Sequence, residues 1–314
     1  MEYYYKSAQQ GFKNAQFNLA VIYDEGILIP KDIAKAIDLY TKAAAQGDDE
    51  AMYNLAHVYS KGIDIPPDYK KSIELYTKSA NLGNSMAEYQ LGNIYRNGKW
   101  IPQDLKKAFE YYKKSADQGN ARGQFSLAVM YDEGQYVRKN KQKALEYYTK
   151  SADQGYDDAL FNLGELYREG DYVKQDYKKA IEYFQKAAQQ GNVTALLNLG
   201  LMYCEGKGVQ KDTKKGFEFI QKAALLNDPT AQFNLGVIYG KGELVSKDQE
   251  KSIEWITKSA DQRFVRAQLY LGLIYGQGKI IKQNPEKAEH YIKAACQNHS
   301  QEACDIVNSI DSEP

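Results

Sequence analysis

Leu19, Leu55, Leu91, Leu127, Leu163, Leu199, Leu235 and Leu271 recur every thirty-six residues without a slip. Tyr23, Tyr59, Tyr95, Tyr131, Tyr167, Tyr203, Tyr239 and Tyr275 keep the same interval, and so does a glycine column from Gly26 to Gly278. A fixed period of this length marks a stacked-repeat solenoid, whose units bury their apolar faces on one another. Such arrays offer long surfaces rather than closed pockets, which points the function toward binding. The 314 residues then report a number of units, not a number of globular domains.

Each unit reads as two helices. Along Ala15–Gly26, Ala15, Leu19, Ile22, Tyr23 and Gly26 fall within one arc of about 100°, the apolar face of an amphipathic helix. Ala20 and its equivalents Ala56, Gly92, Ala128, Gly164, Gly200, Gly236 and Gly272 are never larger than alanine, which lets a second helix come close. Gly26 ends the helix, and a short loop carries one apolar anchor, Ile29. Asp32, Asp68, Asp104, Asn140, Asp176, Asp212, Asp248 and Asn284 then stand where a second helix needs an N-cap. In that second helix Ala36, Tyr40, Ala43 and Ala44 share one face, and Gly47 closes it. The last three units carry Asn227, Arg263 and His299 in place of that glycine, so their turns are expected to be looser. Lys35 heads a lysine column on the opposite face, read as solvated because acids accompany it.

The expected architecture is an all-α solenoid of eight 36-residue helix-turn-helix repeats. They occupy 15–50, 51–86, 87–122, 123–158, 159–194, 195–230, 231–266 and 267–302. Residues 1–14 read as the second helix of a truncated leading repeat, and 303–314 as a capping helix and tail.

The pattern A-x-x-x-L-[AG]-x-x-Y-x-x-G, followed by an apolar residue, D, K-A and A-x-x-G, resembles the Sel-one-like repeat (SLR) family. Gly206-Lys207-Gly208-Val209-Gln210-Lys211-Asp212 comes nearest to its loop motif. The resemblance spans eight copies. It implies a right-handed α/α superhelix related to tetratricopeptide repeats, and a role as a non-enzymatic interaction scaffold or adaptor. It also implies that the first helices line the concave side.

On that reading the binding face lies on the non-core arc of the first helices. One column there runs Asn18, Asn54, Gln90, Ser126, Asn162, Asn198, Asn234 and Tyr270. An amide both donates and accepts, so a ladder of them can hold a peptide backbone without reading its side chains. The alternative is that these amides bond the neighbouring repeat. Phe125 belongs to an aromatic column with Phe17, Tyr53, Tyr89, Phe161 and Phe233, which serves either as partner anchors or as packing between repeats. Variable neighbours His57, Asn93, Arg96 and Arg168 would tune selectivity, the arginines through forked carboxylate contacts. The expected partner is a protein or peptide segment, with the chain itself a monomer or weak oligomer. A self-assembling module joined through the chain ends, or a secreted effector-type binder, is the competing reading.

Forty-one basic and forty-one acidic residues cancel, which leaves no basic footprint for nucleic acid. No apolar run approaches the ~20 residues of a membrane span, and Met1-Glu2-Tyr3 does not open an export signal. A cytoplasmic setting is the expectation for the sequence as given, with a secreted or periplasmic one the alternative if a leader precedes it. By resemblance to cysteine-rich SLR relatives, Cys296 and Cys304, eight apart, are a candidate disulfide; two reduced thiols are the other reading. His290, Cys296, His299 and Cys304 do not converge as zinc ligands would. His57 has no nucleophile or orienting acid at a catalytic spacing, so a hydrolase with His57 as its candidate base is only the remote alternative, and no cofactor is expected.

Overall fold

A computed structural model describes residues 2–171 and 173–311. Among them the secondary structure is helical throughout. The elements are α1 (Glu2–Gln9), α2 (Lys13–Glu25), α3 (Ile33–Ala45), α4 (Asp49–Lys61), α5 (Tyr69–Asn81) and α6 (Ser85–Asn97). Next come α7 (Leu105–Asp117), α8 (Ala121–Glu133), α9 (Lys141–Asp153), α10 (Asp157–Glu169), α11 (Tyr177–Gln189) and α12 (Val193–Glu205). The series ends with α13 (Thr213–Leu225), α14 (Pro229–Lys241), α15 (Gln249–Asp261), α16 (Val265–Gln277), α17 (Pro285–Gln297) and α18 (Gln301–Asp311). Even-numbered helices are the first helices of each repeat, and odd-numbered helices are the second. The chain forms two compact units, Met1–Ala159 and Leu160–Pro314. In the first, α2 packs on α3, α4 on α5, α6 on α7 and α8 on α9; in the second, α12 packs on α13, α14 on α15 and α16 on α17. Residues 312–314 of the predicted tail lie outside the described residues.

The small-residue column explains how closely the paired helices approach. Ala20, Ala56 and Ala128 are fully buried. At Gly92 an added Cβ would stand 2.5 Å from the Tyr112 ring, and at Gly200 it would stand 2.6 Å from Ile220 Cγ1. A larger side chain there would force the pair apart, the overpacking that a close-packed interior resists. Tyr40, Tyr112, Tyr148, Phe184, Ile220 and Ile256 fill the facing position and are among the most buried large side chains.

Both turns of the hairpin are locked by local bonds. Asp32 accepts from Lys35 N at 3.0 Å, and the Asx residue of every later copy caps its second helix in the same way. The backbone N–H of Asp32 also donates to Tyr23 O at 2.9 Å, closing the loop onto the first helix. A second set of caps, not foreseen, starts the first helices: Asp48, Asn84, Asn120, Asn192 and Asp228.

The expectation of looser turns in the last three units is corrected. Asn227, Arg263 and His299 adopt φ of 70°, 64° and 71°, the left-handed conformation of the glycines they replace. Arg263 N donates to Ala260 O at 2.9 Å, as Gly47 N does to Ala44 O at 3.0 Å. The turn is dictated by the two helices it joins, and the non-glycine residues accept the strain.

Candidate partner-binding face

Each first helix turns one arc toward its own second helix and leaves another outside it. The column that follows Phe17 lies against the second helix. Phe17 sits 6.1 Å from Tyr40, Tyr53 5.6 Å from Tyr76, Tyr89 6.2 Å from Tyr112, and Phe161 5.8 Å from Phe184. Phe125, a candidate anchor, is held in the same way, 5.7 Å from Tyr148 and 5.3 Å from Tyr156. The aromatic column is therefore packing, because the second helix needs a ring to fill the space beside its own aromatic.

The amide column divides. Asn54 Nδ2 donates to Tyr40 Oη at 3.3 Å, and Asn198 Nδ2 donates to Glu165 Oε1 at 2.7 Å. Each partner belongs to the preceding repeat, so these two amides stitch neighbours together. Asn18 is exposed, Asn162 and Asn234 are half-buried, and none of the three makes a hydrogen bond among the described residues. Asn93 accepts from Tyr112 Oη at 2.7 Å.

The charged candidates are occupied as well. Arg168 forks onto Glu165 through Nε at 3.1 Å and Nη2 at 2.6 Å, and also meets Glu169 at 2.9 Å. Arg96 reaches Gln135 at 3.1 Å and Glu133 at 3.4 Å. The expected forked grip on a partner carboxylate is thus satisfied within the chain. His57 stacks on Tyr53 with ring centroids 6.3 Å apart, and burial, then Lys61, hold its imidazole below the ordinary value. Burial also pushes the hydroxyls of Tyr40, Tyr76 and Tyr112 well above the usual phenol range.

In the last three repeats the face beside the first helices loses polar groups. Ile220, Ile256 and Ile292 replace the tyrosines of earlier repeats; Cys204, Gly240 and Gly276 replace polar side chains at the position of Asp24. Leu201, Val237 and Leu273 are half-buried beside them. At the last repeat this leaves a groove of about 420 Å³ bordered by Leu273, Gly276, Ala288, Ile292, Ile306 and Val307.

The lysine column on the opposite side has a partner that sequence reading missed. Lys35 Nζ lies over Tyr23, and its seven equivalents lie over the equivalent tyrosines, 4.3 to 5.4 Å from the ring centroids. The constant twelve-residue offset between the two columns was the available signal. Each contact seats the ammonium on the ring face, so the lysine column is engaged within the chain. Cys296 and Cys304 are joined as a disulfide, with Cα atoms 4.6 Å apart. His290 rests edge-on against Tyr291, 5.2 Å between centroids.

The Sel1 repeat matches residues 1–12, 13–48, 49–84, 85–120, 121–156, 157–192, 193–228, 229–264 and 265–300. This frame follows the first residue of each first helix, two residues ahead of the frame set on the alanine column. Among solved structures the chain is similar to a protective antigen of uropathogenic Escherichia coli displaying an SLR fold. The identity is 30%, with 98% of this chain and 66% of the antigen covered and a TM-score of 0.77. This chain therefore spans just under two thirds of that antigen's length. It is also similar to a Sel1 repeat protein from Oxalobacter formigenes, at 28% identity with 99% and 90% covered and a TM-score of 0.70. No curated protein matches the chain. Repeat matches running from residue 1 to residue 300 show that the chain belongs to the Sel1 repeat family.

Proposed function

We propose that this protein is a non-enzymatic scaffold that holds a segment of a partner protein on the outer arc of its first helices. Sel1 repeats generally mediate protein–protein interaction, and the reading assigns that role to one face. The observation that carries it is a pair of half-buried, unbonded amides in the second unit, Asn162 and Asn234, flanking Asn198, which is already bonded to Glu165; Asn18 is their exposed equivalent in the first unit. A half-buried amide without a bond gains when a peptide backbone supplies one. Leu201, Val237 and Leu273 add apolar area beside Asn198 and Asn234. End-to-end assembly of copies has less support. Asp305 and Asn308 on α18 stand where other first helices carry an aromatic or leucine and a glycine or alanine, so that face does not suit a second helix.

The test selects binders from a displayed library of random peptides and then compares two double variants. Asn162→Ala with Asn234→Ala is expected to weaken capture about tenfold or more, with the thermal midpoint unchanged. Asn54→Ala with Asn198→Ala is expected to lower the midpoint, because both amides bond the neighbouring repeat. Equal capture by the first variant and the unaltered protein would remove these amides from the binding face.

A further inference from the structure

In four repeats one glutamine clasps two successive hairpins. Gln16 Nε2 donates to Ala8 O, Gln124 to Ala116 O, Gln232 to Ala224 O and Gln268 to Ala260 O, at 3.2 to 3.5 Å and always across eight residues. The same glutamines also accept from the end of their own second helix: Gln46 to Gln16, Gln154 to Gln124 and Gln262 to Gln232 at 2.8 Å, and Asn298 to Gln268 at 3.0 Å. At α18 the two clasp positions are Cys296 and Cys304, and a disulfide replaces the hydrogen bond.

The helix needs that replacement. Its polar Asp305 and Asn308 suit no second helix, and its packing falls mainly on α17, with Val265, Leu269 and Leu273 of α16 in the same cluster. Ala303 is fully buried, joined by Ile306 and Val307 in a small cluster with Ile292 and Ala295. An eleven-residue helix is marginal without tertiary support. Both cysteines are half-buried, within reach of a small reductant.

We propose that the Cys296–Cys304 disulfide is a thiol-responsive latch that holds α18 over the apolar end of the last repeat, and that a dithiol releases it. A thiolate of the dithiol attacks one cysteine sulfur, the S–S bond breaks, and a mixed disulfide forms. The second thiol then displaces the cysteine and closes the reductant's own disulfide. Two electrons pass to the protein, which keeps two thiols. With the covalent clasp gone, α18 opens, uncovers Ile292 and takes apart the groove that Ile306 and Val307 wall, while the rest of the second unit stays folded. The latch stands apart from partner binding at the amides.

Amide hydrogen exchange on the full chain, in a Cys204→Ser background, tests it before and after treatment with a dithiol, with reduction verified by intact mass. Amides of residues 301–311 are expected to exchange on the order of ten- to a hundredfold faster after reduction, the scale of a short loop's closure entropy, while α12 to α14 keep their rates. Cys304→Ser should reproduce the reduced pattern without any reductant. Unchanged exchange in 301–311 with the disulfide fully reduced would overturn the proposal. So would a loss of protection that spreads through α12 to α14, or a disulfide that the dithiol does not reduce while the protein is folded.

Discussion

Glu88 shows how one residue can depart from a column and pay in stability. Its equivalents in four repeats are the clasping glutamines, but a carboxylate cannot donate to Ala80 O as Gln16 donates to Ala8 O. It is 4% exposed and accepts from Gln118 Nε2 at 2.6 Å. Burial raises its pKa above the ordinary 4.5; the bond from Gln118 and the charge of Lys114 oppose that rise, and Asp117 adds to it. A raised pKa means that the folded state binds the proton more tightly than the unfolded state. Its contribution is therefore fully present below 4.5 and is lost as pH climbs through the raised value. Glu88→Gln is expected to be more stable than the unaltered protein at neutral pH, with the advantage shrinking toward pH 4. Urea midpoints measured across that range check it, and a constant difference would contradict the assignment. The glutamine column was visible in the sequence. What it held was not, because its partners lie eight residues back and thirty residues ahead.

At the scale of helices and turns, much was legible, because repetition turns each position into eight trials of one physical rule. The N-cap column and the small-residue column both needed no more than that. The left-handed turn at Arg263 is not legible from local propensity, because two docked helices outweigh it. Relief of the left-handed strain is worth about 1–2 kcal/mol, against about 0.5–1 kcal/mol for glycine's extra freedom when unfolded. Arg263→Gly should therefore raise stability by about 0.5–1 kcal/mol, read as a higher urea midpoint with an unchanged slope. A lower midpoint would show that the arginine side chain supplies more than the turn costs. The lysine column shows the opposite limit: its charge was plain, but its seat on the Tyr23 column crosses a loop and belongs to tertiary structure.

For the whole molecule, the sequence reveals a stack of hairpins with a free arc on the first helices, since thirty-six-residue regularity leaves few alternatives. Two amides on that arc are taken by the preceding repeat: Tyr40 engages Asn54, and Glu165 engages Asn198. A column read by itself cannot show this. The face also changes character along the chain, from tyrosine hydroxyls bonded to Asp24 and Asn93 in early repeats to isoleucine and glycine in the last three. The most direct measurement of the central claim is amide hydrogen exchange with and without a selected peptide bound. Slowed exchange concentrated in the even-numbered helices α10, α12 and α14 is the predicted result. Protection confined to the odd-numbered helices, on the lysine–tyrosine side, would contradict it.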